Sequence, residues 1–125
     1  MSLANRQAHD WQANGEARHV GVEIAGGVRL ENVYVPAGGD VPDPALNPKF
    51  RHKLDFLEAM EAWFARMRGK RSNRMILVGD LNVAPLETDV WSHKQLLKVV
   101  SHTPAEVERF LRVQAAHDFI DVMRR

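Results

Sequence analysis

Apolar and polar residues alternate in the first third of the chain, which predicts two antiparallel strands. In HVGVEI, residues 19–24, every second position is apolar, as on a half-buried strand. VRLENVYV, residues 28–35, follows after AGG, which is typical of a tight turn. Side chains alternate along a strand, so Asn32 and Tyr34 would share one face of the second strand.

Apolar residues at spacings of three and four predict two helices. The first should begin near Pro48 and end at Gly69. The second should begin with TPAE, in which Thr103 can cap the helix and the glutamate can complete a capping box. Between them, MILV at residues 75–78 does not alternate, which is typical of a central strand buried on both faces. The pattern also allows a short helix over residues 93–100, and the closing FIDVMRR suits either a strand or a loop.

The composition indicates one globular domain. The 125 residues are 45% hydrophobic and 26% charged, and the formal net charge is +1. No apolar run approaches the roughly 20 residues that a membrane-spanning helix needs. The lack of cysteine excludes disulfides and thiolate metal ligands. We therefore expect no membrane partner and a cytoplasmic location.

Positive charge is concentrated in RMRGKRSNR, residues 66–74. Such a segment could bind phosphate groups of a nucleic acid. A solvated helix end is the alternative, because cations are favoured near the C-terminus of a helix. Short basic segments are common on protein surfaces, so the pattern favours the helix end.

Asp80 and Asn82 follow the MILV strand and are the first candidates for chemistry. If the backbone stays extended after Gly79, both side chains point to the same side, at the strand end where open α/β sheets bind ligands. A carboxylate can accept a proton from water, and an amide can donate to a phosphoryl oxygen. The pair therefore suits hydrolysis of phosphate esters, and an ordinary turn is the alternative.

Residues around the predicted hairpin are further candidates. The hydroxyl of Tyr34, the only tyrosine, could bind a phosphate oxygen, and Asn32 on the same face is a second candidate for substrate contact. Arg18 could contact phosphate and His19 could titrate near neutral pH, although their position favours two surface residues. The other five histidines show no spacing typical of zinc ligands.

Several segments, taken in order, resemble the exonuclease III family, the exodeoxyribonuclease III and abasic-site endonuclease branch of the endonuclease/exonuclease/phosphatase superfamily. They are NVYVPAGGD, KFRHKLDFLEAM, MILVGDLNVAP, DVWSHKQLLKVVSHTPAE and FIDVMR. The resemblance covers residues 18–125 and leaves residues 1–17 as a tag or a poorly matched segment. It implies an α/β (α+β) fold with two facing β-sheets flanked by helices. It also implies hydrolysis of phosphodiesters in double-stranded DNA, at abasic sites or from 3′ ends, with Mg²⁺ or Mn²⁺.

The resemblance also implies roles for individual residues. Tyr34 matches the active-site tyrosine of the family, Asp80 the aspartate beside the attacking water, and Asn82 the asparagine that binds phosphate. Arg18 resembles a phosphate-contacting arginine. Ala37 departs from the pattern, because many members carry Asn or Gln there.

Other family elements have no counterpart in this sequence. They are an early strand with an asparagine, a glutamate that holds Mg²⁺, and a late Asp/Asn pair with a histidine. Asp80 would then be nearly alone as a metal ligand, whereas Mg²⁺ sites need one or two carboxylates in place. We therefore expect the central part of a DNA-repair nuclease that is inactive alone and self-associates to cover exposed sheet edges. The alternatives are a non-catalytic nucleic-acid-binding module and another phosphodiesterase or phosphatase of the superfamily.

Overall fold

A computed structural model describes residues 3–70 and 74–124. These residues form one mixed four-stranded sheet and helices that pack against it. The strands are β1 (Ala4–Gln7), β2 (His19–Ile24), β3 (Val28–Tyr34) and β4 (Met75–Asp80); the helices are α1 (Pro48–Arg68), α2 (His93–Leu96) and α3 (Pro104–Ala116), with 3₁₀ turns at Glu87–Asp89 and Val122–Arg124.

The sheet has the strand order β1-β2-β3-β4. The predicted hairpin is confirmed, since β2 and β3 pair antiparallel with Val20 opposite Asn32. β4 pairs parallel to β3, and the connection between them contains α1. The α/β fold class is confirmed, although the described residues supply one sheet and not the second sheet of the expected pair.

Both long helices begin where the sequence predicts, and α1 also ends at the predicted Gly69. The Asn47 side chain accepts a hydrogen bond from the Lys49 amide at 3.0 Å, and Pro48 occupies the first turn, where its missing N–H costs nothing. The predicted capping box at Thr103 and Glu106 is present at the start of α3. Both helices contribute to the core, whose buried members are Val33, Val35, Phe56, Leu57, Met60, Trp63, Phe64 and Val113.

β4 is an edge strand of the described sheet, so the prediction of a central strand buried on both faces is wrong. Met75 and Leu77 are half-buried against the core, whereas Ile76 and Val78 are 46% and 43% exposed. Within the described residues, no strand pairs with the outer edge of β4. The uniform apolar run therefore leaves one apolar face uncovered.

Residues before β2 are ordered against the domain in a way that the pattern did not predict. β1 pairs with β2, but its four residues are all exposed, so no apolar alternation marks it. Trp11 lies 5.5 Å from the Trp63 ring and packs against the core.

Two weaker expectations are only partly met. α2 ends at Leu96, before the end of the predicted segment at residue 100. Residues 122–124 form a 3₁₀ turn, so the loop alternative for FIDVMRR is correct and the strand alternative is wrong. No helix in the described ranges is both long and apolar enough to span a membrane.

Candidate functional site

Tyr34 and Asp80 lie side by side at the ends of two adjacent parallel strands. The register of β3 and β4 pairs Tyr34 with Asp80 and Asn32 with Val78. Pairing continues past the end of β3, where the Val35 amide donates to the Asp80 carbonyl at 2.9 Å. Tyr34 is 51% exposed and Asp80 is also exposed. Both side chains are therefore accessible to a ligand at this edge of the sheet.

Gly79 allows the two strands to approach each other just before Asp80. Its φ of +129° lies in a region that other residues rarely adopt. A Cβ at this position would lie 2.7 Å from Asn32 Oδ1 and still closer to the Val33 carbonyl oxygen. The glycine is therefore required by backbone conformation and by space.

A tight turn brings Asn82 back toward β3. Its φ is +50°, and its main-chain amide donates to Asp80 Oδ1 at 3.1 Å. Its side-chain Nδ2 donates to the Val35 carbonyl at 2.8 Å. The expected extended backbone after Gly79 is therefore wrong, and the turn alternative describes the local conformation. The turn still places the Asn82 amide next to the strand that carries Tyr34.

Arg18 lies directly beside Tyr34. Its guanidinium carbon is 5.0 Å from the centre of the tyrosine ring, within the range of a cation–π interaction. Its Nη1 donates to the Tyr34 carbonyl at 3.3 Å. Arg18 also pairs with Glu16, and this hydrogen bond lowers the pKa of Glu16. The arginine is thus held in place by groups on both sides.

Three of the predicted site residues line one open cleft of about 470 Å³. They are Arg18, Asn32 and Tyr34, and the lining also includes Arg6 and His9. Partial desolvation, followed by the neighbouring His19, lowers the pKa of His9 although the residue is exposed, and this favours its neutral ring. The lining does not include Asp80 or Asn82, which lie at the adjoining strand end.

His19 is buried, so its prediction as a surface residue is wrong. It is 5% exposed, and its Nε2 lies 2.7 Å from Glu31 Oε2. Its Nδ1 accepts the His9 main-chain N–H at 3.1 Å, which places a proton on Nε2 and makes His19 the donor to Glu31. Gly21 makes room, since a Cβ there would overlap the Glu31 carboxylate. The pairing joins two strands, and no local pattern reports it.

Two arginines of the basic segment contact other parts of the chain. Arg68 pairs with Asp118, and Arg74 donates to the Gly26 carbonyl. Arg71 lies outside the described residues. These contacts support the helix-end interpretation over a free phosphate-binding patch.

The described residues do not form a metal site by themselves. Within residues 3–70 and 74–124, no three His, Asp or Glu side chains converge on one point. One oxygen of Asp80 already accepts a hydrogen bond from Asn82. No catalytic step is therefore assigned to a metal ion.

Three solved structures with the same fold are named as a 3′ phosphatase, an AP endonuclease and a 3′-5′ exonuclease. No protein-family model matches the sequence, and neither does any curated protein. The 3′ phosphatase NExo from Neisseria, solved bound to product DNA hairpin, matches with a TM-score of 0.81 and 20% identity over 92% of this chain and 43% of its own.

Two further solved structures have the same fold. An AP endonuclease from Archaeoglobus fulgidus matches with a TM-score of 0.76 and 24% identity, covering 91% of this chain and 42% of its own. The 3′-5′ exonuclease NExo from Neisseria meningitidis matches with a TM-score of 0.79 and 21% identity, covering 91% and 43%. The chain thus spans less than half the length of these proteins, and over that length it shares their fold, in agreement with the exonuclease III-like fold that the sequence resemblance implied.

Proposed function

We propose that this chain contributes part of the active site of a DNA-repair nuclease that hydrolyses phosphodiesters at abasic sites or 3′ ends. One observation carries the proposal: Tyr34, Asp80 and Asn82 meet at the ends of adjacent parallel strands. The fold that holds them is shared with solved structures named as an AP endonuclease and a 3′-5′ exonuclease. Double-stranded DNA is the proposed substrate, and the cytoplasm is the proposed location.

The three side chains suit different parts of hydrolysis at phosphorus. The Asp80 carboxylate can accept the proton of the water whose oxygen attacks phosphorus, while the opposite P–O bond breaks. The Asn82 amide has two donors, of which one is bonded to the Val35 carbonyl; the second can donate to a phosphoryl oxygen. The Tyr34 hydroxyl can donate to another oxygen as negative charge develops.

Arg18 and Asn32 extend the site along the cleft. Arg18 is held against the Tyr34 ring and lines the cleft. Its positive charge could therefore bind a phosphate next to the one that is hydrolysed, on the same DNA strand. Asn32 is exposed two positions before Tyr34 on the same face. We assign substrate contact to both residues and a catalytic role to neither.

The resemblance implies Mg²⁺ or Mn²⁺, with Asp80 as the proposed ligand among the described residues. A hard cation of this kind binds one or two carboxylates together with substrate phosphates. Because the described residues bring no three acidic or histidine side chains together, further ligands must come from elsewhere. We therefore propose that the chain alone binds DNA without cleaving it.

A duplex with one abasic site tests this proposal. Cleavage is measured with Mg²⁺ or Mn²⁺, and binding by fluorescence anisotropy, for the wild type, Asp80→Asn and Asn82→Ala. The control is Asp55→Asn, which removes a carboxylate that pairs with Arg51 on the surface of α1. We expect binding without cleavage, weakened by Asn82→Ala and not by Asp55→Asn. Cleavage that depends on Asp80 would overturn the inactivity proposal, and unchanged binding by Asn82→Ala would overturn the site.

A non-catalytic nucleic-acid-binding module is the second candidate, favoured by the absence of a metal-binding cluster among the described residues. It would bind DNA without metal, with an affinity that falls as salt rises. Unlike the first candidate, it predicts no preference for abasic over intact duplex. Turnover of a small phosphate diester would instead indicate another phosphodiesterase of the superfamily.

We also propose that the chain self-associates through the outer edge of β4. Ile76 and Val78 are exposed on this strand, and no described strand pairs with its outer edge. Such an edge can pair with another chain. Light scattering should show a mass that rises with concentration; a monomeric mass at the highest concentration would contradict the proposal.

A further inference from the structure

A buried ion pair lies beneath the candidate site and involves residues that the sequence analysis did not select. Lys53 in α1 pairs with Glu106 in the first turn of α3, and both are 0% exposed. A buried charge is tolerated only where a partner and further hydrogen bonds satisfy it. The other hydrogen bonds of the Lys53 ammonium and the Glu106 carboxylate therefore show which segments of the chain the ion pair connects.

Lys53 uses its ammonium group to connect the two loops of the site. Its Nζ donates to the Asn82 carbonyl at 2.7 Å and to the Ala37 carbonyl at 3.2 Å. With the Glu106 carboxylate, these acceptors account for the three donors of an ammonium group. One acceptor lies in the loop after β3 and another in the turn after β4.

Glu106 connects the Lys53 ammonium group to the start of α3. Its two carboxylate oxygens accept the Ser101 amide at 3.0 and 2.9 Å. It also accepts the Thr103 hydroxyl at 2.6 Å. The glutamate that closes the capping box is thus also the counter-ion of Lys53.

The loop geometry makes room for the lysine stem. Gly38 has a φ of +93°, and a Cβ there would lie 2.8 Å from Lys53 Cδ. A side chain at residue 38 would therefore displace Lys53 from beneath the loop. Gly38 is therefore required for the lysine stem to pack beneath this loop.

We propose that Lys53 is a positioning residue that sets the conformation of Asn82. Asn82 has a φ of +50°, in the left-handed region that asparagine adopts more readily than most other non-glycine residues. Lys53 holds its carbonyl from one side, while its Nδ2 is bonded to Val35 on the other. Together these contacts fix the direction of the amide. The consequence for phosphate binding rests on the proposed function of Asn82.

The side-chain amide of Asn82 gives a direct test by NMR. In the wild type, one of its two Nδ2 protons should exchange slowly, because it is bonded to Val35. We expect the double variant K53M/E106Q, which removes both buried charges together, to lose this protection. Affinity for inorganic phosphate, read at the same resonance, should fall about tenfold.

A matched control links the same helices without touching the site. Arg109 in α3 pairs with Glu58 in α1, so R109M/E58Q removes an α1–α3 ion pair at the surface. It should leave the Asn82 resonance and phosphate affinity unchanged. An unchanged Asn82 resonance in K53M/E106Q would overturn the proposal.

Two further measurements keep the test decisive. The first uses the wild type, so it applies even if the double variant does not fold. The Lys53 ammonium protons should exchange slowly and show NOEs to Asn82 and Ala37. Absence of these NOEs would overturn the proposal. If Asn82→Ala binds phosphate as well as the wild type, the proposed phosphate contact of Asn82 fails. The exchange of its Nδ2 protons would still decide whether Lys53 positions it.

Discussion

Replacing Gly79 with alanine should disrupt the junction between β3 and β4 from which the site is built. Gly79 has a φ of +129°, so an alanine there is strained whatever the space around it. Its Cβ would also overlap the Val33 carbonyl on β3 and lie 2.7 Å from Asn32 Oδ1. The strands would have to separate at the point where Asp80 begins the site.

The expected cost is the sum of three effects. A non-glycine residue in such a conformation costs about 1–3 kcal/mol. Separation of the strands weakens the adjacent hydrogen bond from the Val35 amide to the Asp80 carbonyl, now 2.9 Å long, worth about 1 kcal/mol. Remaining overlap with the Val33 carbonyl adds about 1 kcal/mol more. We expect Gly79→Ala to lower the free energy of unfolding by about 3–5 kcal/mol.

Urea denaturation followed by circular dichroism measures this cost, and Gly26→Ala provides the control. Gly26 has a φ of +83° with no atom within 4 Å of an added Cβ, so only the conformational cost of about 1–2 kcal/mol applies. A variant too unstable to fold would agree with the prediction. Equal losses for Gly79→Ala and Gly26→Ala would refute the reasoning from strand contact.

Three further predictions concern the core, a helix cap and pH. Phe64 is fully buried, so Phe64→Ala should cost about 3–5 kcal/mol in urea denaturation, and a loss below about 1 kcal/mol would contradict its place in the core. Thr103→Val should cost about 1–2 kcal/mol and Thr103→Ser much less, because only the hydroxyl caps α3. Partial desolvation lowers the pKa of His9 although the residue is exposed, so stability should be highest above pH 6.5 and fall slightly as pH drops below it. His9→Gln should flatten that decline, measured as the melting temperature against pH.

The sequence predicted the elements whose signals are local. α1 is marked by Pro48 at its start and Gly69 at its end, and α3 by the capping box at Thr103. The hairpin is marked by the glycine-rich turn between two alternating segments. In each case the residues that form the cap or the turn are close neighbours in sequence, so the sequence pattern is enough to predict the element.

Contacts between distant segments account for what the pattern did not show. β1 is held by pairing with β2 while all its residues are exposed. His19 is buried because Glu31 lies across the hairpin. The exposed face of β4 follows from its position at the edge of the described sheet.

In the candidate site, too, the sequence predicted the local features and did not predict the contacts between distant segments. Asp80 and Asn82 are two residues apart, so the sequence alone identified them as a pair. The register of the parallel strands places Tyr34 beside Asp80. The left-handed turn at Asn82 and its support by Lys53 depend on packing of α1 beneath the loop. A lysine on an apolar helix face carries no such information in sequence alone.

The most direct test of the central claim is an NMR titration of the chain with a duplex that carries one abasic site. The account predicts that the largest shift changes fall on Arg18, Tyr34 and Asn82, and that intact duplex produces smaller ones. Changes confined to other surfaces, or none at Tyr34 and Asn82 under saturating DNA, would contradict a phosphodiester site at the ends of β3 and β4.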